Sequence, residues 1–347
     1  MHPQTDLSLL LESLLELSRT PYFNKALEAH TRALIDVIEH VLTASPRYDE
    51  QIVRTLADKV WTTYRYLQGS TTKEAPYEIE YCLRLAIADW LPYPCLVTTT
   101  LTDERDFHLK VGDPWEFVAT TIIRYDKPLP NSLLIFIGMP RLYKYMPLFC
   151  TALYHELGHF VDLTGQVTQT SLLLDPLDDK LSPRARDIVE SYRREHFADL
   201  FAACYVGSAI GDTLSAVCPG APMTLEHPPT DQRLELLRSF LAGEQSDELT
   251  MYQKALERRG LPQLAQRFEV PDIELSFDDI RPHALVGDKQ LHGMLPAGWS
   301  YMAKALGGDG APWTKGARPL ELVRIVNDLA EKSIRNASIR QLWASAQ

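Results

Sequence analysis

From Leu7 to Trp90 apolar residues recur at helical spacing, so this stretch reads as a succession of amphipathic helices. Leu9, Leu10, Leu14 and Leu15 fit one segment, and Ala26 to Val41, Asp49 to Leu67 and Tyr77 to Trp90 supply three more. Around Leu91 to Pro94 the pattern changes. β-Branched and aromatic residues dominate Cys95 to Leu101, Glu116 to Tyr125 and Ser132 to Gly138, which predicts three strands of a small sheet. Pro140 stops the last strand. Pro147 stands as the first residue of a helix running to about Thr164, with Gly165 as its left-handed C-terminal cap. Ser182-Pro183 opens a helix to about Tyr205, and the turn at His227-Pro228-Pro229 leads into another from Asp231 to Leu241. The remainder reads as mainly helical with loops. The expected fold class is therefore α+β, mostly helical, with a helical N-terminal region over 1–92, a core over 93–243 holding the sheet and the two strongest helices, and a mainly helical C-terminal region over 244–347.

Composition narrows the function classes. The 347 residues are 45% hydrophobic and 23% charged, the balance of an ordinary globular protein. A formal net charge of −11 argues against a broad nucleic-acid or anionic-lipid footprint, which needs clustered Lys and Arg. The most apolar short run, Ser132 to Met139, is far below the roughly 20 residues that span a bilayer. The N-terminus lacks a basic region, and Glu12 and Glu16 interrupt its Leu-rich stretch, unlike a secretory signal. The five cysteines are widely spaced with no CxxC pair, so buried thiols and a cytoplasmic location are the expectation. The Gly-rich stretch Gly307 to Gly310 lacks phosphate-loop spacing and reads as a loop.

The chemistry lies in Tyr154-His155-Glu156-Leu157-Gly158-His159-Phe160, an H-E-x-x-H on a predicted helix. A step of four puts both imidazoles on one helix face, where they can meet one tetrahedral ion. Glu156 lies roughly 100° round the helix from His155, within reach of a water at that ion without being a ligand itself. Three ionisable groups in a helix otherwise rich in Leu and Phe are unfavourable unless they are paired or bind metal. Glu195-His196-Phe197-Ala198-Asp199 supplies E-x-x-x-D on the next strong helix: Glu195 can complete a His₂Glu set, and Asp199 can accept the outer ring N–H of a ligating histidine, by preference His155. Alone, these two carboxylates would read as partners of Arg193 or Arg194 on a solvated face. Asp162 shares the face of His159 and reads as a further ligand, a group behind the ligands or a contact to a helix N-terminus. His196 points about 100° from Glu195 and reads as a surface or packing residue. His30, His40, His108, His283 and His292 have no metal-ligand spacing.

These motifs resemble those of gluzincin metallopeptidases, in which H-E-x-x-H and a downstream E-x-x-x-D on consecutive helices form the zinc site. His227-Pro228-Pro229-Thr230-Asp231-Gln232-Arg233 is similar to the H-P-x-x-x-x-R element of the CAAX-processing and HtpX-like proteases, and the likeness extends from about Ser132 to Leu241. The resemblance implies a zincin-like core and one Zn²⁺ held by His155, His159 and Glu195. It also implies catalytic roles for Glu156 as general base and His227 as oxyanion donor, with Asp199 and Arg233 bracing the ligands, and a strand from Ser132 to Gly138 whose edge receives an extended substrate. His227 also reads as a turn residue before Pro-Pro. Those relatives are integral membrane proteins, whereas this chain shows no spanning segment.

The expected activity is zinc-dependent hydrolysis of a peptide bond in a protein or peptide substrate, with no nucleic-acid partner. Two alternatives stand beside it: a metal-binding regulatory or interaction protein, in which an intact Glu156 would have no task, and a zinc amidohydrolase acting on a small molecule.

Overall fold

The computed structural model describes residues 3–44, 48–72, 74 and 77–345. Four helices come first, α1 (Pro3–Leu17), α2 (Ala26–Thr43), α3 (Glu50–Gly69) and α4 (Tyr77–Ala88), each within a few residues of the segment read from the apolar periodicity. Asp49 caps α3 by accepting from the Gln51 N–H. Three strands follow: β1 (Cys95–Thr102), β2 (His108–Lys110) and β3 (Leu133–Pro140), with a short helix α5 (Trp115–Thr121) between the last two. The protein is thus mostly helical α+β with one small sheet.

The sheet departs from expectation in two respects. Glu116 to Tyr125 is not a strand. Asp113 accepts a hydrogen bond from the Trp115 N–H at 2.8 Å and starts α5, which with the residue after it buries Trp115, Val118 and Ile122, a helical and not an alternating spacing. Nor is β3 an edge. The strand order is β1-β3-β2, with β1 parallel to β3 along its whole length and β2 antiparallel to it at Phe136, Ile137 and Gly138. The central strand has no free edge over those three residues for an incoming peptide. The strand that covers it, β2, is three residues long and too short to show an alternating pattern.

The chain divides into two compact units, one of Met1–Glu80 with Leu91–Arg141 and one of Tyr81–Trp90 with Leu142–Gln347. The sheet therefore belongs with the N-terminal helices, and the boundaries expected after residues 92 and 243 are not those of the structure. In the first unit α1, α2 and α3 bury Leu7, Leu14, Leu34, Val37, Leu56 and Val60. The end of α3 abuts β1 so closely that a Cβ on Gly69 would sit 2.1 Å from the Thr99 carbonyl oxygen, and Ser70 accepts from the Thr99 N–H.

The second unit carries the motifs. A 3₁₀ turn, Pro147–Thr151, runs into α6 (Ala152–Gly165), followed by α7 (Val167–Leu174), α8 (Pro183–Val206), α9 (Ala209–Val217), α10 (Thr230–Leu241), α11 (Asp247–Arg259), α12 (Glu274–Asp278), α13 (Gly287–Leu306) and α14 (Pro319–Ser345). Ser182 caps α8 through the Ala185 N–H, with Pro183 in its first turn. The left-handed residue after α6 is Gln166 (φ 54°), not Gly165. A Cβ at Gly165 would meet Leu261 at 2.6 Å, so that glycine answers a packing demand and the reversal falls one residue later. No helix among the described residues is long and apolar enough to cross a membrane.

Candidate metal centre

The site is built from α6, α8 and the turn that opens α10. Gly158, between the two histidines of α6, lets α8 approach: a Cβ there would lie 2.8 Å from the Ala198 Cα and 3.1 Å from the Phe201 Cβ. The close approach brings the His155 and His159 face of α6 against the Glu195 and Asp199 face of α8. His155, Glu195 and Asp199 are buried and His159 is partly exposed. The two imidazole rings stand nearly perpendicular, with centroids 4.5 Å apart.

Both Nε2 atoms turn to the Glu195 carboxylate. His159 Nε2 lies 3.2 Å from Oε1 and His155 Nε2 lies 3.4 Å from Oε2. One ligand atom from each of the three side chains falls within 4.8 Å of the others, so the cluster can hold a metal ion. Its donor types, two imidazole nitrogens and a carboxylate oxygen, are those of open zinc sites. Glu195 Oε2 strengthens the fit. It is buried without a hydrogen bond, although His155 Nε2, Arg233 Nη2 and His227 Nε2 surround it at 3.4, 3.5 and 3.8 Å. Buried acceptors are rarely left unpaired, and a cation between Glu195 and the imidazoles would satisfy this one.

Asp199 accepts from His155 Nδ1 at 2.9 Å, which fixes the tautomer with its proton on Nδ1 and leaves Nε2 free to ligate. Arg233 grips Asp199 in turn with Nε and Nη2. Burial alone would raise the Glu195 and Asp199 pKa values. The neighbouring His155 and His159 imidazoles overcome that effect at Glu195, and Arg233 with His155 does so at Asp199, holding both carboxyls well below the usual range. Burial likewise disfavours a proton on His155, but its contacts with Asp199 and Glu195 raise its pKa to about 10. The pocket is thus built to hold positive charge, and a proton and a metal ion compete for His155 Nε2.

The remaining residues divide. Glu156 follows His155 in α6 and is buried as a residue, and its carboxylate has no hydrogen-bond or ion-pair partner among the described residues. His227 reaches the margin of the site with a half-exposed ring. Its turn is pinned to α8 by Tyr192, which donates to the Thr224 carbonyl at 2.7 Å, and by Ser191, which donates to the Glu226 carbonyl at 2.9 Å. Sequence reasoning passed over these two anchors, as it did the close approach at Gly158, whose one visible signal was a glycine inside a helix. Asp162 accepts from the backbone N–H and hydroxyl of Thr168 and so caps α7. His196 is buried, not at the surface.

Compared with known protein families, curated proteins and solved structures, the chain matches none.

Proposed function

We propose that the chain is a zinc-dependent peptidase in which His155, His159 and Glu195 hold one Zn²⁺ and Glu156 is the general base. The observation that carries this reading is the division of labour among three carboxylates. Glu195 faces both imidazoles, Asp199 is committed to His155 and Arg233, and Glu156, next to His155 in α6, is tied to neither ligand nor clamp. A site that only held a metal for stability would have no use for a carboxylate next to a ligand in sequence and bound to none of its neighbours.

When bound, zinc supplies a Lewis acid that makes water a nucleophile near neutral pH and polarises a carbonyl. Glu156 accepts the proton of the attacking water and delivers it to the leaving nitrogen. His227 donates from Nε2 to the oxygen of the carbonyl under attack, and its exposure on the open side of Glu195 suits contact with a substrate. Asp199 and Arg233 keep His155 in one tautomer and orientation throughout. The substrate class is a protein or peptide.

The test compares wild type with Glu156→Gln, both loaded with zinc, on a peptide mixture read by mass spectrometry. Cleavage by the wild type and none by the variant at equal zinc content supports the assignment. Equal cleavage by both removes Glu156 from the mechanism, and no cleavage by either at full zinc removes the peptidase reading.

A further inference from the structure

The first unit holds a cleft of about 650 Å³ where α3 and β2 face each other beside the end of β1. Its walls are two matched rows. Thr62 and Tyr66 stand one turn apart on one face of α3, and His108 and Lys110 share one face of β2. The Lys110 ammonium reaches the Thr62 hydroxyl at 3.5 Å, and the Tyr66 hydroxyl meets His108 Nε2 at 3.3 Å. β3 makes room for this imidazole, since a Cβ on Gly138 would fall 2.2 Å from the His108 ring. Tyr66 has no other acceptor among the described residues, so it donates to Nε2 and leaves the proton of a neutral ring on Nδ1. That nitrogen has no partner among the described residues and stays open to solvent. Arg65, three residues on from Thr62, lines the cleft too, with neither an ion pair nor a hydrogen bond among the described residues. So does Thr100. Its side chain belongs to a residue only 8% exposed, and its hydroxyl is unpartnered among the described residues yet, unlike that of Thr99, is not shut off from solvent. A polar group so deep in the fold normally has a partner, and this one can find it only in the cleft.

Charge and polarity decide the occupant. Arg141 is spent on Asp103 at 3.4 Å, which leaves Arg65 and Lys110 against the single carboxylate of Glu104. In a chain of net charge −11, that local excess of cations favours an anion. A guanidinium, an ammonium and an imidazole N–H offer donors to one group from both walls, which suits the several oxygens of a phosphate. The hydroxyl of Thr100, the amide of Gln68 and the carboxylate of Glu104 suit hydroxyl groups, and a lining so polar does not suit a lipid tail. We propose that the cleft binds the phosphate monoester of a small polyhydroxylated molecule, a sugar phosphate, with the phosphate on Arg65, Lys110 and His108 Nδ1 and the hydroxyls on Thr100, Gln68 and Glu104. The volume suits a ligand of this size. The site does not rest on the peptidase reading, because every residue lining the cleft belongs to the first unit and the metal centre to the second.

Isothermal titration calorimetry on the full chain without added metal tests it, with D-ribose 5-phosphate, D-glucose 6-phosphate, the two parent sugars and inorganic phosphate as probes. At least one sugar phosphate binds, and its parent sugar binds at least about tenfold more weakly, the effect of losing one charge-assisted hydrogen bond or more. Inorganic phosphate, which lacks the hydroxyl contacts, binds about fivefold more weakly than the sugar phosphate. Arg65→Gln weakens the sugar phosphate about tenfold and Lys110→Gln about fivefold, and both side chains are exposed, so the variants keep the fold. No binding of either sugar phosphate, equal affinity for a sugar phosphate and its parent sugar, inorganic phosphate bound as tightly as the ester, or unchanged affinity in both variants overturns the proposal.

Discussion

Arg233 holds Asp199 by two hydrogen bonds of 2.7 Å, one to each carboxylate oxygen, and both side chains are buried. The pair is a clamp on the clamp of the metal centre, because Asp199 Oδ1 also takes the Nδ1 proton of His155. Replacing Asp199 with Asn keeps the shape but lets the amide present an N–H to His155. Zinc affinity in Asp199→Asn falls about 10- to 100-fold, as measured by competition with a chromogenic chelator. Arg233→Met acts on stability. It strands a buried carboxylate and lowers the unfolding free energy by about 3–5 kcal/mol, read from urea denaturation of the metal-free chain.

His227 offers a separable effect. Its ring is half exposed and 3.8 Å from Glu195, so removing it leaves the ligand set intact. In His227→Ala the zinc content is unchanged and kcat on a peptide substrate falls about 10²- to 10³-fold, the usual effect of losing one oxyanion donor. A loss of zinc in this variant would instead make His227 a ligand.

The contact between α6 and α8 depends on one missing methyl group. Gly158→Ala places a Cβ 2.8 Å from the Ala198 Cα, and backbone cannot yield as a flexible side chain would. The overpacking costs about 1–3 kcal/mol in urea denaturation and loosens the zinc site with it. Helix propensity alone predicts the opposite sign, since alanine is the better helix former by about 1 kcal/mol. The measured sign therefore decides between packing and propensity.

His30 sets a pH dependence in the first unit. The Trp115 indole N–H donates to its Nδ1 at 3.0 Å, so that nitrogen must be bare, and Nε2 meets the Ser132 hydroxyl at 2.8 Å. Burial lowers its pKa to about 4. The unfolded chain takes up a proton as pH falls through the ordinary value near 6.5, whereas the folded chain resists until about 4. Stability is thus complete above pH 6.5, declines between 6.5 and 4, and changes no further below that on account of this group. The ceiling on the loss is about 3.5 kcal/mol, from roughly 1.4 kcal/mol per pKa unit. His30→Gln keeps an acceptor for Trp115 and a donor for Ser132. Its urea midpoint declines less steeply than that of the wild type over this range, and parallel declines would exclude His30 as the cause.

Helices α1 to α4, α6, α8 and α10 and the pairings of His155 with His159 and of Glu195 with Asp199 were legible because each rests on a local periodicity. A spacing of four residues puts two side chains on one helix face whatever the rest of the chain does. Features set by remote neighbours were not legible. The residues of α5 carry the β-branched content of a strand, and only Asp113-Pro114 announced a helix start. The place of β3 at the centre of the sheet depends on β2, whose three residues have no pattern of their own. Gly165 looked like a helix terminator but is small because Leu261 lies against it, and nothing near it in the sequence could reveal that contact. The bidentate grip of Arg233 on Asp199 joins residues 34 positions apart, visible beforehand only through the resemblance of its motif.

The measurement closest to the central claim is metal content by mass spectrometry on protein purified without added metal and then reconstituted with zinc, for wild type, His155→Ala and Glu195→Ala. The account predicts one zinc per wild-type chain and none retained by either variant, with circular dichroism unchanged. A folded wild type that takes up no zinc, or variants that keep it, would contradict a centre formed by His155, His159 and Glu195.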